Sequence, residues 1–233
     1  MSRGIKQWAG ARAVSALLIA LAWMASPGFA GEDAQTDAAV GVEAASVEAA
    51  PGAEPTGTFE TTRVLVHTDL GDIGIELQTQ RAPITAGNFL RYVDDKRFDG
   101  STIYRAVTIG DEGKFGLVQG GLAGNRDKVL PPIAHESPAD TGLHSVDGAV
   151  SMARLDPGTA TADFFFIVGG LLSMDGDPAT GDPGYAVFGN VFSGMDLVRT
   201  ILLLPRKQEA QSEAMKGQML QQPVKIISVR RVE

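Results

Sequence analysis

The chain has 233 residues, 44% of them hydrophobic and 21% charged, the balance of a soluble globular protein with one domain or two small ones. It contains no cysteine, which excludes disulfides, thiol nucleophiles and thiolate metal sites. Its formal charge of −8 argues against nonspecific nucleic-acid binding, which needs clustered Lys and Arg.

The N-terminus reads as a secretory signal, residues 1–30. Arg3, Lys6 and Arg12 form a basic start, and Ala13 to Ala25 is apolar except for Ser15. Ser26-Pro27 breaks that run, and Gly28-Phe29-Ala30 offers small residues to a signal peptidase, so cleavage is expected near Ala30. An uncleaved anchor is the alternative, but the run is short of the roughly 20 apolar residues a membrane span needs. Cleavage removes those three basic residues and no acidic one, taking the charge from −8 to −11. Residues 31–60 carry Glu32, Asp33, Asp37, Glu43, Glu48, Glu54 and Glu60 without Lys or Arg, and show no sustained apolar period. Such a segment cannot bury enough apolar surface to fold and is expected to be a flexible acidic linker.

A folded domain is expected over 61–233. Arg63 to Asp69 alternates, Gly71-Asp72 turns, and Ile73, Ile75 and Leu77 alternate again, which is a hairpin signal. Pro83 suits a first helical turn, and Phe89, Leu90 and Val93 follow as a helical stripe. Strand-like runs come at Thr102–Val107, Phe115–Gln119, Ala149–Ala153, Phe164–Val168 and Ala186–Val191. Gly194 to Leu204 reads as a second helix stopped by Pro205, and Val224 to Val232 as a last strand. Many short strands, Gly-rich turns and two helices suggest a mostly β barrel or sandwich.

Little in the chain suggests bond-breaking chemistry. His67, His135 and His144 stand apart from any hydrolase pattern and read as surface or turn histidines. No His-Glu-x-x-His, Gly-x-Ser-x-Gly or P-loop pattern occurs. Asp175-Gly-Asp177 lacks the spacing and terminal Glu of a calcium loop. No metal or cofactor is expected.

Six short motifs do occur in one order: Ala82-Pro83 to Asn88-Phe89, Asp99-Gly100-Ser101 to Arg105, Gln119-Gly120-Gly121, Met152-Ala153-Arg154, Phe164-Phe165-Phe166, and Gly184-Tyr185-Ala186-Val187-Phe188-Gly189. Together they resemble the cyclophilin family of peptidyl-prolyl cis-trans isomerases, and most closely its bacterial secreted members. The resemblance implies a closed eight-stranded antiparallel barrel capped by two helices. It also implies catalysed rotation of X-Pro bonds, whose uncatalysed barrier is roughly 18–20 kcal/mol.

The catalyst must favour the twisted amide, in which the proline nitrogen regains its lone pair. A fixed guanidinium that donates to that nitrogen opposes resonance. Arg105 resembles the family's catalytic arginine, and Gln119 the glutamine that bonds the substrate backbone and sets the arginine. The paired glycines after Gln119 are expected to let a peptide approach closely. The resemblance assigns the proline pocket and groove to Phe115, Leu117, Ala153, Arg154, Asp163, Phe165, Met174, Tyr185 and Phe188.

The chain departs from the family at several positions. Tyr104 precedes Arg105 where the family has His. Thr108 to Leu117 is longer and more polar than the family's Pro-Gly-Phe-Met. Ser173 stands near the Trp of cyclosporin-sensitive members, so strong cyclosporin binding is not expected. Asp163 replaces a substrate-contacting Gln. It is expected to pair with Arg105 or Arg154 and weaken catalysis, so that Asp163→Gln would raise activity. Arg105→Ala is expected to lower turnover with the melting temperature nearly unchanged.

The resulting expectation is a monomeric periplasmic or secreted isomerase acting on proline-containing, unfolded or partly folded exported proteins. It would not insert stably in the membrane once cleaved. The alternative is a peptide-binding or chaperone module on the same barrel with weak or no isomerase activity.

Overall fold

The computed structural model describes residues 58–110, 113–123, 125, 127–210 and 213–232. The expected signal segment and nearly all of the acidic linker lie outside the described residues. Among the described residues there are nine strands: β1 (Thr62–Thr68), β2 (Gly71–Leu77), β3 (Thr102–Ile109), β4 (Phe115–Gly121), β5 (Ala149–Met152), β6 (Phe164–Val168), β7 (Val187–Ser193), β8 (Arg206–Lys207) and β9 (Met219–Val232). They are interspersed with helices α1 (Pro83–Asp94), α2 (Pro138–Thr141) and α3 (Met195–Leu202).

The hydrogen-bonded order is β1-β2-β7-β5-β6-β4-β3-β9, and β9 pairs back to β1. Every pairing is antiparallel, so eight strands close on themselves and leave no long edge for another chain to pair with. The two-residue β8 adds to β9. Fold and strand count agree with the sequence expectation; α2 and β8 are additions too short to leave a periodic signal.

One face of each strand fills the barrel. Val64, Val66, Ile73, Ile75, Ile103, Val118, Val150, Phe164 and Phe166 are all fully buried. α1 contributes Phe89 to this core, with ring centroids 5.0 Å from Phe98, 5.2 Å from Phe164 and 5.3 Å from Phe188. α3 contributes Val198, Ile201 and Leu202. It begins at Gly194, whose φ of 83° and close approach to the Asp72 carbonyl leave no room for a Cβ.

α1 has no side-chain cap of its own, since Ala82 precedes it. Glu136, distant in sequence, takes that role. Its carboxylate accepts from the Ile84 and Thr85 amides at 3.0 and 2.7 Å and from the Thr85 hydroxyl at 2.6 Å. A carboxylate there satisfies orphan donors and meets the positive end of the helix. Glu136→Ala should cost about 1–2 kcal/mol of stability, as loss of a helix cap does, read as a lower midpoint in denaturant with unchanged slope. A cost below about 0.5 kcal/mol would place the helix's anchorage elsewhere.

β9 begins five residues earlier than its apolar alternation indicates. Gln221-Gln222-Pro223 interrupts the pattern, and β3 records the interruption: Ile103 pairs with Val224, but Arg105 pairs with Met219. The intervening residues bulge, which accommodates Pro223 inside a strand.

Candidate active site

The site rests on a second irregularity at the same point of β3. Across β4, Ile103 pairs with Gly120 and Arg105 with Gln119, so Tyr104 is an extra residue, a β-bulge. In a regular strand consecutive side chains point to opposite faces. The bulge instead lets Tyr104 and Arg105 both reach the Gln119 amide. Arg105 Nη1 donates to Gln119 Oε1 at 2.8 Å, and Gln119 Nε2 donates to the Tyr104 hydroxyl at 2.8 Å.

The other edge of the guanidinium is held by Gln218, just before β9. Gln218 Oε1 accepts from Arg105 Nε at 2.9 Å and from Nη2 at 2.6 Å. Its own carbonyl accepts from the Ala106 amide, which fixes its place. Arginine has five N–H donors. Among the described residues three are engaged, which leaves one on each terminal nitrogen. Arg105 is only 5% exposed. Burial pulls its pKa down, yet an arginine stays charged at any physiological pH. The result is a rigid cation with two donors to spare. Gln218 was missed in the sequence because it lies in the polar stretch before the β9 bulge and belongs to none of the six motifs.

Register places apolar side chains beside this cation. Arg105, Gln119 and Phe165 lie in one row across β3, β4 and β6, on the outer face of the barrel. Leu117, two residues from Gln119, shares that face and is partly buried. Phe165 meets Tyr185 edge-on at 5.6 Å, and the Tyr185 amide donates to the Met174 carbonyl at 2.8 Å. Tyr185 also feels the charge of Arg105. Phe165 and Tyr185 therefore meet in the row that carries the guanidinium, with Leu117 two residues along β4 and Met174 bonded through its carbonyl to Tyr185.

Arg154 braces Tyr185. Its guanidinium carbon lies 4.8 Å from that ring's centroid, and it donates to the Leu155 carbonyl at 3.0 Å and the Gly184 carbonyl at 2.5 Å. The partly buried Ala153 is bonded through its amide to the Asp163 carbonyl. Among the described residues no group of three or more His, Cys, Asp or Glu is placed to hold a metal ion. A cavity of about 310 Å³ around Leu70, Leu204, Pro205 and Pro223 shares no residue with the groove.

Four expectations need correction. Phe188 is fully buried against Phe89 and cannot touch a peptide; its alternation along β7 turns it inward. Phe115 is 46% exposed and lies over the backbone of Gly169. It stands four residues from Gln119, about 13 Å along the strand, at the rim of the groove. Gly121 does not open a path for peptide: with φ of 134°, it makes room for the Asp163 carboxylate, which a Cβ would strike. Asp163 itself pairs with neither arginine. Its Oδ1 accepts from the Ala123 amide at 2.9 Å, beside the space left by Gly121.

Comparison with known proteins follows this geometry. A family model described as cyclophilin type peptidyl-prolyl cis-trans isomerase/CLD matches residues 63–231. A peptidyl-prolyl cis-trans isomerase of Acinetobacter baylyi is 35% identical over 170 residues, covering 72% of this chain and 85% of that protein. Peptidyl-prolyl cis-trans isomerase B of Escherichia coli is 38% identical over 144 residues, covering 59% of this chain and 82% of that protein. Among solved structures, a Cryptosporidium parvum cyclophilin type isomerase determined in the presence of the dipeptide Ala-Pro shares the fold. Its TM-score is 0.57 at 19% identity, covering 73% of this chain and 99% of that one.

Proposed function

We propose that this chain, which belongs to the cyclophilin-type peptidyl-prolyl cis-trans isomerase family, turns X-Pro bonds with Arg105 as its electrophile and assists the folding of exported proteins. The observation that carries the assignment of Arg105 is its double clamp by Gln119 and Gln218 beside Phe165 and Tyr185. Two spare N–H groups on a fixed guanidinium suit a proline nitrogen whose lone pair emerges as the amide twists. Holding the charge in place beforehand avoids reorganisation during the reaction. Leu117, Phe165, Met174 and Tyr185 would hold the pyrrolidine ring while the carbonyl side rotates. Gln218 would position Arg105 without touching substrate.

Proline-containing peptides are the substrate this groove fits. An exported client and a periplasmic location follow from the signal-like residues 1–30 and the acidic 31–60. Expression of the full chain with an N-terminal reading of the product tests the location: cleavage near Ala30 is expected, and an intact cytoplasmic product would refute it. An X-Pro peptide assay on the product separates isomerase from passive binder. Saturable catalysis is expected; peptide binding without turnover would favour the binding module.

The rate should show no single-proton step between about pH 5.5 and 8, where unperturbed histidine titrates. The described histidines are engaged elsewhere: His67 with Asp72, His135 with the Pro183 carbonyl and His144 with Asp175. A clear step in that window, with the fold intact, would show that a titrating group takes part.

A further inference from the structure

We propose that the face of β3 and β4 beyond Arg105 is a second contact for substrate: a ledge of Ile109 and Phe115 that takes a large apolar side chain about four residues from the proline being turned. The inference rests on the reading of Arg105 as the electrophile, and it narrows the substrate to unfolded polypeptide with an apolar residue at that spacing.

Strand register extends the row of the guanidinium outward. Arg105 pairs with Gln119, Val107 with Leu117 and Ile109 with Phe115. Residues opposite each other, and residues two apart, share a face of a sheet. These six side chains therefore stand on one side. Ala106 and Val118, which alternate with them, are fully buried on the other. There a Cβ on Gly116 would meet the Leu202 side chain at 2.9 Å, so α3 packs against that side. Exposure along the row rises with distance from Arg105. Val107 and Leu117 are partly buried, whereas Ile109 is 44% and Phe115 46% exposed.

The Phe115 ring is seated rather than loose. It lies against Gly169, where a Cβ would fall 2.5 Å from the ring. A side chain already held in place loses little rotamer freedom when a partner covers it. Ile109 and Phe115 both belong to the stretch that is longer here than the family's Pro-Gly-Phe-Met, so the ledge is a feature of this chain rather than of the family pattern.

Continuity with the Arg105 row selects the occupant. Four residues of strand separate Gln119 from Phe115, about 13 Å, and an extended peptide covers that distance in about four residues of its own. A chain whose X-Pro bond lies at Arg105, and which runs along this face, brings its own side chain to the ledge. Folded proteins keep most large apolar side chains inside; an unfolded chain offers them beside its prolines.

The test uses X-Pro peptides of eleven residues with the proline central, one Leu moved through every other position, and a Ser-containing host as reference. A tetrapeptide too short to reach the ledge runs alongside. With the purified protein, Leu three to five residues to one side of the proline should raise kcat/KM about 5- to 20-fold, through KM, because the contact is made equally in ground and transition states. Ile109→Ser should erase that preference and leave tetrapeptide turnover within about twofold. Phe115→Ser should erase it as well, and Phe115→Leu should keep it. Equal kcat/KM at every Leu position overturns the inference, as does a preference that survives both serine variants. Equal losses on short and long peptides in Ile109→Ser, with a lower melting temperature, would make the pair a structural tie and also overturn it. Dimerisation of the protein that Ile109→Ser abolishes would assign the face to a second copy instead. Full activity in Arg105→Ala overturns the reading of Arg105 and the placement measured from it. An inactive Arg105→Ala with no positional preference in the unmodified protein overturns the ledge alone.

Discussion

Arg105→Ala should reduce kcat/KM for X-Pro peptides by about 10²–10³, the loss typical of removing one preorganised donor from a developing charge. The fall should lie in kcat, because the interaction strengthens only as the proline nitrogen regains its lone pair. Stability should respond as well, which the sequence does not indicate. Arg105 is buried, and its removal leaves the Gln119 and Gln218 oxygens without their donors. Unsatisfied buried acceptors cost about 1–3 kcal/mol, a shift of several degrees in melting temperature. Arg105→Lys should lose nearly as much activity. An ammonium is a point charge and cannot meet both glutamines while presenting two further donors. Full activity in either variant would remove Arg105 from the mechanism, and the pocket would then have to work by binding alone.

The barrel was legible because its signals are local. Alternation in β1 and β2, the apolar run of β6 and the stripe of α1 each follow from which residues face the core, and six motifs set their order. The row beside Arg105 was legible where a side chain keeps the strand's two-residue period, as Leu117, Gln119 and Phe165 do. It was misread where the period breaks or the face is ambiguous. Phe188 looks like a pocket aromatic but alternates inward. Gln218 and Tyr104 owe their roles to bulges in β9 and β3, and a bulge shows in a partner's register before it shows in a sequence. Asp163 was the sharpest failure. From spacing it could be placed in the groove, and an acid near two arginines invites an ion pair. Its carboxylate instead accepts from the Ala123 backbone amide. That removes the ground on which replacing it by glutamine was expected to raise turnover.

Phe89→Ala should have the largest effect on stability and the smallest on the chemistry per folded molecule. The ring stands at the centre of the aromatic core, within 5.0–5.3 Å of Phe98, Phe164 and Phe188. Truncation loses the transfer free energy and leaves a cavity that three rings on separate elements cannot readily close, a cost of about 3–5 kcal/mol. For a domain of this size the melting temperature should fall by roughly 6–20 °C. Phe89→Leu should recover most of that by refilling the volume. The catalytic face should be spared, because Phe164 points inward to Phe89 while its neighbour Phe165 points outward to Tyr185. The folded fraction of Phe89→Ala, measured well below its melting temperature, should therefore turn over X-Pro peptides within about threefold of the unmodified protein. A loss of turnover comparable to that of Arg105→Ala, at a temperature where the fold is intact, would mean that strain crosses β6 from core to groove. The two faces of that strand would then have to be treated as one unit.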